Sequence, residues 1–313
     1  MKKGNGLSTI KKITLDAVPP FRFDLSAEIF SDGDSQIRKY EKNKFWQIIR
    51  VNGKLILATV KSEGIIDQPK LSAELKSDET LTQDDAKKAQ ETISSLFSLD
   101  FDLAPFYKDV KTDDTMARVT QKLWGLKSPT TPTAFEALID SIVEQQISLK
   151  VANSIENKLT KRFGDALCID DEVYYAYSTP QKLASVGIDA IRQCGLSQRK
   201  AEYIQGIAEL VAGGELNLEK LKNCENADEI ISELDRVRGV GVWTAELTML
   251  RGMQKLEALP ADDLGLRRVI SRYYCGGKVI TSTQARQIAE NWGRWKGLAA
   301  YYLVVAERKG IEA

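Results

Sequence analysis

Two glycines separated by one residue, Gly239 and Gly241, stand between two segments with helical patterns, and they constrain the fold more than any other feature of the chain. Glycine adopts backbone conformations that other residues avoid, so a Gly-Val-Gly turn can join two helices closely. The turn can also direct backbone N–H groups outward at the start of the second helix, where phosphate groups bind readily. Taken alone, such a turn is more often an ordinary tight connection.

A pair of aspartates, Asp262 and Asp263, follows the turn about 20 residues further along. The pair comes after a Leu-Pro step and heads a predicted helix. Aspartates in such a position commonly cap the helix, because the carboxylate accepts hydrogen bonds from its first free N–H groups. The ordered combination of helix, glycine turn, helix and paired carboxylates is harder to explain by capping alone. It indicates a site where a carboxylate acts on a molecule that carries phosphate.

The composition excludes several classes of site. The chain has 313 residues, no histidine, and four cysteines without any C-x-x-C spacing. This length predicts about two domains. Without histidine, acid–base chemistry must use Asp, Glu, Lys, Tyr or Cys, and a Ser–His–Asp triad is excluded. The scattered cysteines argue against a zinc site, a disulfide framework and an iron–sulfur cluster.

Neither a membrane span nor a signal peptide is predicted. No segment approaches the roughly 20 apolar residues that cross a bilayer. The basic N-terminus lacks the apolar run of a signal peptide. We therefore expect an intracellular, cytoplasmic protein without a membrane partner.

The net charge of zero is unevenly distributed. Residues 236–313 carry 13 Lys and Arg against 7 Asp and Glu, a net charge of +6, whereas residues 113–235 carry 13 against 20, a net charge of −7. Local charge decides contacts with nucleic acid, because the Debye length in physiological salt is only about 8 Å. The positive segment begins at the glycine turn, which is compatible with DNA contact and also with an ordinary solvated surface.

Residues 1–112 predict an α+β domain with a small antiparallel sheet. Residues 45–51 and 54–61 are β-prone and flank Asn52-Gly53, the strongest short signal for a β-hairpin. Residues 71–75 are a further candidate strand. Residues 84–99 predict a helix, since their apolar side chains recur at helical spacing.

Residues 113–313 predict a mainly α-helical domain, which the chain enters through a turn-rich linker at 125–133. Thr133 and Glu136 match a capping box, in which the two side chains reciprocally accept from backbone N–H groups. The helix after the glycine turn is predicted to end at Gly252. Trp295 precedes the last predicted helix.

The glycine turn and Asp263 together resemble the helix–hairpin–helix, Gly/Pro–Asp superfamily of DNA base-excision glycosylases. Four segments are similar to its 3-methyladenine DNA glycosylase II, or alkylation-repair, branch: PPFRFDLSAEIF at 19–30, SPTTPTAFEALIDSIVEQQISLKVANSIENKLTKRFG at 128–164, GLSQRKAEYI at 195–204 and WGRWKGLAAYYL at 292–303. The resemblance covers roughly residues 17 to 308. It implies a helix–hairpin–helix glycosylase domain at 113–313 behind the α+β domain.

The resemblance implies that Asp263 is the catalytic carboxylate, with Asp262 as the helix cap. Asp263 would orient or deprotonate water and stabilise the positive charge that develops on the sugar. Relatives that also cleave the DNA strand carry a lysine nucleophile two residues past the second hairpin glycine. This chain has Trp243 there, so a monofunctional enzyme without lyase activity is expected.

The resemblance also implies a base pocket and a DNA wedge. Trp243 and Trp295 match pocket tryptophans of the alkylation branch, and aromatic faces attract the cationic ring of an alkylated purine. Packing in a core is the alternative for both. Leu247 and Leu264 replace aromatics that the branch can have, which leaves the substrate range open. Gln146, after the first long helix, matches the wedge that fills the gap left by the flipped base; a solvated helix end is the alternative.

Two kinds of backbone contact at the hairpin follow from the same resemblance. The N–H groups of Gly239, Gly241 and Val242 would hold a DNA phosphate, which fixes register without reading sequence. Backbone carbonyls would bind a monovalent cation, Na⁺ or K⁺, and no other cofactor is expected. The carbonyls concerned are those of Asp235, Val237 and Val240.

We therefore expect a monomeric DNA-3-methyladenine-type glycosylase of base excision repair. It would flip alkylated bases out of double-stranded DNA and hydrolyse their N-glycosidic bonds. One alternative is a glycosylase for an oxidised base such as 8-oxoguanine on the same scaffold. A non-catalytic helix–hairpin–helix DNA-binding protein is another, which would not need Asp263 or an aromatic pocket. A helical protein-interaction scaffold, the third, predicts no salt-dependent DNA affinity.

Overall fold

The computed structural model describes residues 9–312, and its N-terminal part contains a five-stranded antiparallel sheet. The strands are β1 (Thr9–Asp16), β2 (Arg38–Glu41), β3 (Lys44–Val51), β4 (Lys54–Ser62) and β5 (Lys70–Ser77). They lie in the order β1-β5-β4-β3-β2. Asn52 and Gly53 have φ angles of 51° and 80° between β3 and β4, as a type I′ hairpin turn requires. The predicted hairpin and third strand are confirmed, whereas β1 and β2 were not predicted.

Two helices accompany this sheet. They are α1 (Phe23–Ala27), which a 3₁₀ turn (Glu28–Phe30) extends, and α2 (Gln83–Leu96). One face of the sheet and one stripe of α2 share an apolar core that includes Ile49, Ile56 and Ile93. Full burial of each such side chain stabilises the fold by about 1.5–3 kcal/mol.

A second, two-stranded sheet packs against the first, and the sequence did not predict it. Its strands are β6 (Asp165–Ile169) and β7 (Glu172–Ala176). Leu167 and Ile169 of β6 contact Ile48 and Leu57. Ile48 on β3 and Leu57 on β4 point away from the first core, because successive side chains of a strand alternate between its faces. The contact joins the N-terminal sheet to the helical part of the chain.

The rest of the chain is mainly helical, as predicted. Its helices are α3 (Ala104–Val110), α4 (Asp114–Lys122), α5 (Ala134–Glu144), α6 (Leu149–Phe163), α7 (Pro180–Ala184), α8 (Ile188–Arg192), α9 (Gln198–Gly213), α10 (Leu218–Lys222), α11 (Ala227–Asp235), α12 (Val242–Met253), α13 (Leu264–Tyr274), α14 (Ser282–Ala289) and α15 (Lys296–Arg308). One core joins α5 and α6 to α9, α11 and α12. A second joins α3 and α4 to α13, α14 and α15. The boundary predicted at residue 112 falls between α3 and α4, which share a core, and stays a prediction.

Two local predictions in the helical part were wrong. Gly252 does not end α12 but lies inside it, where an added Cβ would come within 2.8 Å of the Cα of Ala134 and the Cβ of Ala137. Glycine there permits close approach of α5 and α12. Thr133 does accept a hydrogen bond from the backbone N of Glu136, but the Glu136 carboxylate is buried beside Arg38 instead of closing the capping box.

None of the described helices combines the length and the apolar character that a membrane span requires.

Candidate active site

The hairpin between α11 and α12 is shaped by a left-handed glycine and a buried valine. Gly239 has a φ of +93°, and a Cβ at this position would lie 2.3 Å from ring atoms of Tyr203 on α9. Val240 is buried, and its N–H donates a hydrogen bond to the carbonyl of Val237 over 3.0 Å. Only glycine fits at 239, because both the backbone conformation and the nearby ring exclude a side chain.

Helix α12 begins at this hairpin with unoccupied backbone donors. Gly241 is its N-cap and provides no side-chain acceptor for the first N–H groups. Gly241 and Val242 are both exposed. Free N–H groups and the positive end of the helix dipole together favour an anion. The predicted phosphate contacts at Gly239, Gly241 and Val242 therefore belong to one accessible turn.

The predicted cation-binding carbonyls run from the last residue of α11, Asp235, through Val237 to Val240 in the hairpin. Of the three, the Val237 carbonyl already accepts the Val240 N–H. Those of Asp235 and Val240 accept no bond outside regular helices among the described residues. Carbonyl oxygens near the C-terminus of a helix are suitable ligands for a monovalent cation, because that end of the helix dipole is negative. These residues therefore fit Na⁺ or K⁺ by the type of their ligand atoms, and the cation stays a prediction.

The predicted wedge residue, Gln146, occupies the turn between α5 and α6. It is exposed and adopts a left-handed φ of 56°. Its neighbours Ile147 and Leu149 are also exposed, although they are apolar. The turn thus presents Gln146 together with exposed apolar side chains, and apolar side chains commonly insert between base steps.

Two residues that the sequence did not single out hold this turn in place. The amide of Gln145 donates to the carbonyl of Gly239 at 2.9 Å and to the Thr244 hydroxyl at 3.0 Å. The ammonium group of Lys200 donates to the carbonyls of Val143 and Gln145 and so caps the C-terminus of α5. Burial lowers the pKa of Lys200. The position of Gln145, directly before the predicted wedge residue Gln146, was a sequence signal that could have identified it. Nothing in the sequence pointed to Lys200.

Asp263 is the N-cap of α13, and the expectation that Asp262 would cap this helix was wrong. The Oδ1 atom of Asp263 accepts a hydrogen bond of 2.7 Å from the backbone N–H of Leu266. Asp263 is half-buried, while Asp262 is exposed and lies 3.9 Å from the guanidinium of Arg286. One oxygen of Asp263 is therefore held by the helix, and the helix dipole favours negative charge on the group.

An ion pair missed by the sequence analysis supports the loop that carries Asp263. Glu246 on α12 receives two hydrogen bonds from Arg286 on α14, of 2.7 and 3.0 Å. The Glu246 carboxylate is buried, and this burial raises its pKa. Bidentate pairs of this type fix both orientation and distance. The pair ties α12 and α14 together next to Asp262.

The two predicted pocket tryptophans have different surroundings. Trp243 is half-buried in the first turn of α12. Trp295 is 7% exposed, packs edge-on against Phe101 and Phe106, and donates a hydrogen bond of 2.8 Å from Nε1 to Asp109. Trp295 thus packs within the second helical core, whereas Trp243 lies beside the hairpin. A pocket role for either residue stays a prediction.

Leu247 and Leu264, which stand where relatives of the alkylation branch can have aromatic residues, differ in exposure. Leu247, one turn after Trp243, is buried at 8% exposure. Leu264, directly after Asp263, is 71% exposed. An apolar side chain so exposed beside a carboxylate is available to contact a ligand.

Comparisons with known proteins agree with this arrangement. The sequence profile described as "HhH-GPD superfamily base excision DNA repair protein" matches residues 139–294. A protein of Bacillus subtilis named DNA-3-methyladenine glycosylase is 32% identical over 211 residues, which cover 67% of this chain and 69% of that protein. The solved structure of a 3-methyladenine DNA glycosylase from Archaeoglobus fulgidus superposes with a TM-score of 0.84 at 26% identity, over 95% of this chain and 98% of the other.

The same fold also occurs in a protein named for a different substrate. An 8-oxoguanine glycosylase/lyase from Clostridium acetobutylicum superposes with a TM-score of 0.73 over 96% of this chain and 98% of the other. At 21% identity this likeness concerns the fold alone. From the profile match, the hairpin geometry and the similarity to the Bacillus protein, this chain belongs to the HhH-GPD superfamily of base excision DNA repair proteins.

Proposed function

We propose that this protein is a monofunctional DNA glycosylase that removes alkylated bases of the 3-methyladenine type from double-stranded DNA. It would act as a monomer inside the cell. The observation that carries the proposal is the half-exposed carboxylate of Asp263 at the start of α13, in the order of elements that the superfamily shares. The names of the relatives that are 32% and 26% identical support the alkylated-base class.

Asp263 is the proposed catalytic carboxylate. Cleavage of an N-glycosidic bond develops positive charge on the sugar, and a carboxylate fixed in a preorganised site stabilises that charge. The hydrogen bond from Leu266 occupies Oδ1. We assign the other oxygen, Oδ2, to the sugar and the attacking water. The water oxygen bonds to C1′ as the bond from C1′ to the base nitrogen breaks. The electron pair of the broken bond stays with the cationic alkylated base, which leaves as a neutral molecule, and the proton lost by the water passes to Asp263 and on to solvent.

The absence of lyase activity is proposed from Trp243. A lyase needs an amine that attacks the sugar and forms a Schiff base. Trp243 stands at the position where bifunctional relatives carry that lysine, and an indole ring cannot serve as the nucleophile. The next lysine along the chain, Lys255, lies beyond the end of α12. We therefore assign the attack to water.

The remaining predicted residues take roles around the flipped base. Trp243 forms part of the base pocket, where its face stacks on the electron-poor ring at about 0.5–2 kcal/mol per contact. Gln146 fills the gap in the duplex. The free N–H groups at the start of α12 bind a phosphate beside it. Trp295 is 7% exposed and packs in the second helical core, and its role in the base pocket stays a prediction.

The proposal is tested by base release from a methylated duplex, with Asp263→Asn as the decisive variant. Asparagine caps a helix about as well as aspartate, so α13 should stay intact while the charge is lost. We expect base release to fall by at least about 100-fold with DNA affinity retained. Asp262→Asn, the matched control, should keep most of the activity. No strand cleavage should accompany base release by the wild type.

Two other outcomes would select the alternatives. Release of 8-oxoguanine without release of 3-methyladenine would move the assignment to oxidised bases. DNA binding without release of any base, unchanged in the Asp263 variant, would identify a binding protein without catalytic activity.

A further inference from the structure

A cavity lies between the N-terminal sheet and the helices α5 and α6, away from the proposed active site. Its volume is about 490 Å³, and none of the predicted site residues lines it. This volume falls in the range of small-molecule sites. We propose that the cavity is a second ligand site, which binds a small organic cation with several N–H donors, of the amine or guanidine class.

The first argument is the charge of the cavity wall. Glu136 and Asp140 on α5 and Glu156 on α6 line the cavity, and the first two are only 6% and 7% exposed. Arg38 on β2 faces them, with a guanidinium nitrogen 3.5 Å from the nearest oxygen of Glu136, a long separation for an ion pair. Arg251, paired with Glu144, also acts on Asp140 and Glu156. Four carboxyl groups thus share two guanidinium groups, and a further cation would balance this acidic excess.

The second argument is a pair of buried acceptors without donors. The Oε1 atom of Gln47 on β3 and the Oε1 atom of Glu156 are both buried and make no hydrogen bond to any of residues 9–312. Gln47 is 5% exposed, and both side chains line the cavity. Buried acceptors in native proteins almost always have a partner. Donors on a ligand in the cavity would supply the missing hydrogen bonds.

The shape and lining of the cavity favour an organic cation over a metal ion. Among residues 9–312, no three acidic, cysteine or histidine side chains are grouped as metal ligands would be. Phe135 and Leu216 add apolar surface, which suits a carbon stem. The lining also includes the exposed Asn217 and Glu219, so the cavity reaches solvent where a further negative charge stands.

Protonation of the wall gives the site a characteristic pH dependence. Burial raises the pKa of Glu136 and of Glu156. For Glu156, repulsion from Asp140 and Glu144 adds to this effect, whereas Arg251 and Arg38 oppose it. A bound cation favours the charged carboxylates. Binding should therefore release protons, and the affinity should rise with pH.

The test is calorimetric titration of the full chain with agmatine, which carries an amine and a guanidine, and with spermidine as a second probe. We expect saturable one-site binding of at least one probe. The binding should be tighter at about pH 8.5 than at about pH 6.5, with a heat that depends on the ionisation enthalpy of the buffer. Glu156→Gln should weaken binding by about 10-fold or more, since it removes a charge-assisted hydrogen bond. Glu215→Gln, exposed and outside the lining, is the matched control and should leave binding unchanged.

Gln47→Leu is a second test variant, which can be used if Glu156→Gln fails to fold. It removes an acceptor that has no partner, so the fold should tolerate it, while ligand affinity should fall several-fold. No saturable binding of either probe at either pH would mean that the cavity holds only water, and this would overturn the proposal. Binding that neither variant weakens would place the cations on the outer surface and overturn it equally.

Discussion

The side-chain amide of Gln145 donates a hydrogen bond to the carbonyl oxygen of Gly239 across 2.9 Å. The first residue directly precedes the proposed wedge, Gln146, and the second belongs to the hairpin that carries the proposed phosphate site. A second bond from the same amide reaches Thr244, one residue after Trp243. One side chain thus links the wedge turn, the hairpin and the first turn of α12.

Replacing Gln145 by leucine should uncouple these parts. Each lost hydrogen bond is worth about 0.5–1.5 kcal/mol, so the affinity for a duplex with an abasic site should fall by about 10-fold. Fluorescence anisotropy at fixed salt measures this change. Gln205→Leu is the matched control, because its amide also donates to a carbonyl, that of Val186 at 2.9 Å, far from the hairpin in sequence. Equal weakening by both variants would show a general loss of stability instead.

The two hairpin glycines should respond differently to alanine. Gly239→Ala forces a left-handed φ on a residue with a Cβ and places that Cβ 2.3 Å from the Tyr203 ring. We expect a loss of at least about 2 kcal/mol in the free energy of unfolding. Gly241 has a φ of −105° and no atom within 4 Å of an added Cβ. Gly241→Ala should change stability by less than about 1 kcal/mol, measured by urea unfolding. A comparable loss in both variants would contradict the role assigned to Tyr203.

Local sequence rules predicted the elements whose signals are carried by the residues themselves. Asn52-Gly53 specifies its turn because both residues tolerate positive φ. Features that depend on distant partners were not predictable. Gly252 looked like a helix end, yet the helix continues because α5 packs against that position. Strand β1 pairs with β5, more than 50 residues away, and no local pattern encodes such a partner.

The candidate site shows the same division. The order of the hairpin glycines and Asp263 was visible in the sequence, since each residue type has a local backbone role. The support from Lys200, Glu246 and Arg286 was not, because these residues meet only after α9, α12 and α14 have packed. Which of the two aspartates caps α13 depends on a one-residue register, and sequence patterns define helix ends only to within one or two residues.

Substitution of Trp243 and Trp295 tests whether each residue acts in the base pocket or in core packing. Trp295→Phe removes the hydrogen bond to Asp109 and part of the packing against Phe106. We expect it to lower the free energy of unfolding by about 1–3 kcal/mol with little change in base release per folded molecule. Trp243→Ala should show the reverse, with slower base release and a smaller loss of stability. Thermal unfolding and single-turnover base release on the same samples separate the two effects. Loss of base release in Trp295→Phe at unchanged stability would support the predicted role of Trp295 in the pocket.

Lys127 provides a test of stability against pH in the segment that links the sheet to the helical part. Its side chain is fully buried, and Nζ donates to the carbonyls of Val18 at 2.9 Å and Leu99 at 2.7 Å. Burial lowers the pKa of Lys127 to about 8, although Asp100 and Asp102 oppose the shift. In the unfolded chain the pKa of lysine is about 10.4. Between these values the unfolded chain binds a proton that the native state does not.

Native stability should therefore gain a contribution from Lys127 as the pH rises from about 8 to about 10, on the order of 1–3 kcal/mol. Because tyrosines and other lysines titrate in the same range, the quantity to measure is the difference between the wild type and Lys127→Met in urea unfolding at both pH values. The variant should lack this gain. The free energy of unfolding of the wild type should therefore rise relative to that of Lys127→Met between about pH 8 and about pH 10. Lys122→Met removes an exposed lysine at the end of α4, five residues before Lys127, and should keep the pH dependence of the wild type. Parallel curves for Lys127→Met and the wild type would show that Lys127 stays protonated in the folded protein across this range.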